Sequence, residues 1–102
     1  FNRRLILMAL SESVEYDKIE VVGATKDVQV RVATVIKKDG IEIATNFKRY
    51  VLHCGSLDDS DNFVDTDLSA EPDDVKLVCN AVWTQAVKDL YKTELIAMKS
   101  ST

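Results

Sequence analysis

The sequence predicts an α+β fold, mostly β: a strongly bent antiparallel sheet or small barrel of three to five strands, followed by a long C-terminal helix over about 72–97. Three observations predict it. Two runs of strict apolar alternation flank Asp39-Gly40. The apolar period changes from two to 3.6 residues after Pro72. The composition, 46% hydrophobic and 29% charged, is that of an ordinary globular chain, with only three glycines and one proline to break elements. At 102 residues the chain is read as a single domain, since two would be too small to hold separate cores.

The chain opens on Phe1, and its first methionine is Met8. Met8 would be a natural start, with residues 1–7 an extension. Basic Arg3 and Arg4 precede a six-residue apolar run over 5–10, which is too short for a signal-peptide core. No run approaches the roughly 18 apolar residues of a membrane span. A non-secreted protein with no membrane partner is expected.

Ile19-Glu20-Val21-Val22 is a short β-type run closed by Gly23. Val28, Val30, Val32, Thr34 and Ile36 then alternate, followed by Lys37-Lys38-Asp39-Gly40 and a second alternation at Ile41, Ile43, Thr45 and Phe47. Asp-Gly between such runs signals a type I′ hairpin, because both central residues need positive φ. A two-residue turn there pairs Ile36 with Ile43, Thr34 with Thr45, Val32 with Phe47, Val30 with Arg49 and Val28 with Val51. On the other face it sets Arg31 opposite Lys48, with Tyr50 nearby. Asn62-Phe63-Val64-Asp65-Thr66 reads as a further short strand.

Residues 55–74 form an acidic connector with eight Asp and Glu and no Lys or Arg. The rest of the chain carries 13 bases against nine acids, so a net charge of −4 conceals a basic remainder. Read from Asp59, the connector fails as a calcium loop: Phe63 stands at the third ligand position and Val64 at the glycine position. It reads as a solvated loop.

Pro72 suits the first turn of a helix, and Asp73 and Asp74 favour its positive end. Val75, Val78, Cys79, Val82, Trp83, Ala86 and Leu90 then share one face. Trp83 and Tyr91 are read as core. Leu95, Ile96 and Met98 continue apolar on a shifted face.

The residues argue against catalysis, metals and cofactors. The single histidine, His53, adjoins Cys54, and neighbours on a strand point to opposite faces. Cys79 would complete at most a loose His53/Cys54/Cys79 set, without zinc-type spacing. There is no phosphate-cradling glycine loop, GxSxG or HExxH. Both cysteines are expected as free thiols, with a single strand-to-helix bridge as the alternative.

The hairpin register supplies one binding candidate. Like charges set opposite each other are unfavourable unless an anion joins them. Arg31, Lys48 and Tyr50, assisted by Lys37 and Lys38, therefore form a candidate nucleic-acid site of phosphate-binding cations beside a stacking ring. The same cations could instead meet the acidic segment 58–67 of a neighbouring subunit.

The segments Lys18-Ile19-Glu20-Val21-Val22-Gly23, Val28-Gln29-Val30-Arg31-Val32-Ala33-Thr34-Val35-Ile36 and Ala81-Val82-Trp83-Thr84-Gln85-Ala86-Val87-Lys88 resemble a group of short, uncharacterised proteins of marine tailed phages, especially cyanophages, and of ocean metagenomes. The resemblance implies an Sm-like barrel, a ring-shaped homo-oligomer, RNA or DNA as partner, and residence in the host cytoplasm. The chain departs from the Sm pattern in two ways. Its strongest helix is C-terminal, and no basic residue precedes a glycine. The alternative reading is a structural, assembly or adaptor protein of a tailed phage with no nucleic-acid ligand.

Overall fold

The computed structural model describes residues 10–100, so the expected extension over 1–7 and the start at Met8 lie outside them. The elements run β1 (Leu10–Val22), β2 (Asp27–Lys38), β3 (Ile41–Leu52), β4 (Gly55–Leu57), β5 (Phe63–Asp65), α1 (Asp73–Val82) and α2 (Gln85–Ser100). β1, β2 and β3 form one antiparallel sheet in that order, and β4 pairs with β5 in a separate two-stranded ribbon. The fold class is therefore α+β and mostly strand, as expected.

Three expectations are corrected. The sheet does not close: β1 and β3 remain its edges, so among the described residues there is no Sm-like barrel. The single helix is two. Trp83 leaves helical geometry at φ −86°, ψ 71°. The Thr84 hydroxyl then accepts the Val87 backbone N–H at 3.3 Å, capping the start of α2. The indole of Trp83 donates to the Lys26 carbonyl at 2.7 Å, which ties the break to the β1–β2 turn.

The third correction is the hairpin register. Asp39 and Gly40 have φ of 53° and 81°, the positive pair a type I′ turn requires. Next to the turn, Lys38 faces Ile41 and Lys37 faces Glu42 as expected. The register then shifts between Ile36 and Lys37, leaving Ile43 without a partner, and Ile36 faces Ala44. From there every pairing is displaced by one: Val32–Lys48, Arg31–Arg49, Val30–Tyr50, Val28–Leu52. The expected register would have put Arg49 opposite Val30, which is 1% exposed. An unpaired guanidinium cannot be buried at such a site without a large desolvation cost. The bulge turns Tyr50 and Leu52 inward and Arg49 outward.

The helix-covered core lies at one end of the sheet, while Ala33 and Val35 are buried further along β2 on the other face. Val28, Val30, Cys54, Val75, Cys79 and Trp83 are buried together, with Ile19, Tyr50, Leu52 and Phe63 packed around them. α1 thus covers the Val28/Val30 face. Beyond it the sheet projects: the molecule measures 65 × 26 × 21 Å, with a radius of gyration of 19.6 Å, whereas a compact chain of this length has about 13 Å.

Cys54 and Cys79 are both free and buried. Burial pushes the Cys79 thiol up to about 11, with Glu71 adding to the effect. Desolvation likewise raises Cys54. Below about pH 9 the thiols are neutral folded or unfolded. Above it the unfolded chain gives up protons that the folded chain retains, so stability falls as pH rises toward the folded value. We expect a loss of about 1–3 kcal/mol between pH 9 and 11. Urea midpoints measured across that range check it, and a flat profile would contradict it.

Candidate functional site

The sheet face turned away from α1 carries a cationic rung. Lys18 on β1, Arg31 on β2 and Arg49 on β3 stand side by side in register. The like-charge opposition expected from the sequence therefore exists, but at Arg31–Arg49 rather than Arg31–Lys48, and Lys18 extends it to three strands.

Two acids answer this charge, and one depends on a second bulge. The β1–β2 register shifts between Tyr16 and Lys18, leaving Asp17 unpaired in the ladder. A bulge re-aims a side chain, and here it brings the Asp17 carboxylate to Arg31. Arg31 donates to it twice, through Nε at 3.0 Å and a terminal nitrogen at 2.7 Å. This hydrogen bonding holds the Asp17 carboxyl below the usual carboxylate range. Arg31 also lies over the Phe47 ring, 4.5 Å from its centre. Lys18 pairs with Glu20 at 2.7 Å. Arg49 is exposed, and no carboxylate lies within ion-pair distance of it among the described residues. Around the rung is an open concavity of about 240 Å³, lined among others by Gln29, Glu20 and Val51.

The other expected site residues do not converge here. Lys48 faces Val32, on the opposite side of the sheet from Arg31. Tyr50 is on that opposite side too, opposite Val30, and its hydroxyl donates to Glu71 at 2.5 Å. Desolvation, then this bond, raises its phenol pKa. It is half-buried against the core cluster with its hydroxyl satisfied, on the face away from Arg31. Lys37 and Lys38 sit at the turn, about 20 Å along β2 from Arg31 at 3.4 Å per residue. The expected five-residue patch is thus split over two faces and a tip.

Sequence reasoning missed Lys18, Asp17 and Arg49. The signal for Arg49 was available: a register that opposes an arginine to a core valine cannot stand.

His53 meets neither cysteine. Its Nδ1 lies 3.0 Å from Asp27, and its ring stacks on Tyr91 at 5.7 Å. Among the described residues no three His, Cys, Asp or Glu side chains are placed to hold a metal. No helix among them is long and apolar enough to cross a membrane. No family model, curated protein or solved structure matches this chain.

Proposed function

We propose that the chain is a structural or assembly protein whose subunits join through the projecting part of the sheet. One observation carries this reading. Past the end of the helices the core-facing side carries exposed apolar side chains on β1 and at the turn, bordered by Glu12, Asn46 and Lys48. Val14, Tyr16 and Leu10 on β1 lie beside Thr34, Val32 and Lys38 on β2. They are 58%, 41% and 43% exposed, and Ile41 beyond them is 69% exposed.

A sheet needs a second layer on its apolar face. A second copy presents a face of the same length and character. Two such faces stack at about 10 Å as in any sandwich. The free edges are less suited to the contact, because charges punctuate them: Glu12, Glu15, Lys18 and Glu20 on β1, and Glu42, Lys48 and Arg49 on β3. This reading keeps the oligomer that the phage resemblance implies. It sets aside the nucleic-acid-binding ring, because Arg31 stands on the opposite face of the sheet from Lys48 and Tyr50.

Val14→Asp is the test. Val14 makes little of this chain's own core, so the variant should keep its circular dichroism and thermal midpoint. Its sedimenting mass should fall to that of a monomer. Unchanged assembly in a folded Val14→Asp variant would overturn the reading.

A further inference from the structure

Three cations in one rung repel; Glu20 pairs with Lys18 and Asp17 with Arg31, and Asp17 also feels the charge of Arg49, which makes no ion pair of its own among the described residues. Arg49 is left exposed beside Arg31, at the rim of the 240 Å³ concavity. Glu15 is on the same face but one rung away, opposite Ala33. The rung is therefore a surface that an incoming carboxylate would relieve.

This chain's own acidic segment is held on the far side of the sheet. Asp65 pairs with Lys88 at 3.1 Å, and Asp61 pairs with Lys99, both lysines on α2. Asp73 and Asp74 open α1, which packs on the Val28/Val30 face. Asp59, Asp73 and Asp74 are exposed. The rung and the exposed acids of the 55–74 segment thus stand on opposite sides of the sheet.

We propose that the rung centred on Arg49 docks the carboxylates of the acidic segment of a second copy, in a head-to-tail contact. The inference rests on the assembly reading and adds a second, charge-driven contact to the apolar one. A head-to-tail contact joins two different patches, so it propagates until it closes a ring or runs on as a filament. The charge balance across the sheet selects the second copy over nucleic acid. The acids that would repel a nucleic acid belong to the same chain and are what the rung attracts.

Sedimentation velocity at about 20 mM and about 500 mM NaCl tests it, because the screening length falls from roughly 20 Å to roughly 4 Å between them. The wild-type chain should form larger species at low salt and fall back to a salt-resistant form at high salt. Arg49→Glu should weaken the salt-sensitive association by about tenfold or more. It should leave the salt-resistant form intact, which separates this proposal from the Val14 contact. A variant with Asp59→Lys, Asp73→Lys and Asp74→Lys should fail alone in the same way. Mixed with Arg49→Glu it should recover large species, since each then supplies the charge the other lacks. Wild-type behaviour of folded Arg49→Glu, or no recovery in the mixture, would overturn the proposal. So would tight binding of a fluorescent oligothymidine that Arg49→Glu abolishes, which would assign the rung to phosphates.

Discussion

Trp83→Ala should cost the protein about 3–5 kcal/mol, close to the limit of what a chain of this size can lose. Trp83 is 7% exposed and sits in the core with Val28, Val30, Val75 and Cys79. Its removal opens a cavity where α1, α2 and the sheet meet. It also removes the indole hydrogen bond to the Lys26 carbonyl, which adds to the loss. The helix break at 83–84 loses its tether to the β1–β2 turn at the same time. The thermal midpoint should drop by about 15–30 °C. A shift of less than about 5 °C would mean that the core is not organised around this ring.

Gly55→Ala should be the other severe substitution, although it adds a single methyl. Gly55 is buried at the start of β4, opposite Asp65. A Cβ there would overlap the Phe63 ring and approach the Val64 carbonyl oxygen to 2.6 Å. Phe63 is itself packed against the core cluster, so the ring has little room to swing away. Overpacking of this kind costs about 1–3 kcal/mol. The β4–β5 ribbon should loosen first, and with it the Asp61 and Asp65 contacts to α2. Limited proteolysis should cut the variant within 55–65 well before the wild type. Equal cleavage rates would show that the ribbon yields without strain.

Local chemistry made part of this legible in the sequence. Asp39-Gly40 announced its turn, and φ is positive at both residues. Trp83 read as core and is core. The short strand near Phe63 was visible from its apolar pair, and it forms β5. What failed was decided by tertiary partners. The bulge at Ile43 keeps Arg49 away from Val30, which α1 covers; the Val30–Arg49 pairing signalled the conflict, but no periodicity in β2 or β3 encodes where the bulge that resolves it falls. Most of β1 was missed because Ser11, Glu12, Ser13 and Glu15 dilute the alternation of Val14 and Tyr16. The helix break was hidden by an apolar stripe that runs through it. Thr84, a capping residue type ahead of a second helical segment, was the overlooked signal. The candidate site suffered most, since a one-residue register shift sends Lys48 and Tyr50 to the opposite face.

Tyr50 packs against the core on the face away from Arg31, and Arg31 is held by Asp17; the aromatic beside the rung is Phe47, whose ring Arg31 already covers. The sheet offers exposed apolar side chains on one side and a cationic rung on the other. The most direct measurement is the mass of the unmodified chain in solution, by light scattering after gel filtration at tens of micromolar protein. The expected result is a species of at least twice the 11.4 kDa of one chain, persisting in high salt through the Val14 face. A single 11.4 kDa species at every salt concentration would contradict the central claim.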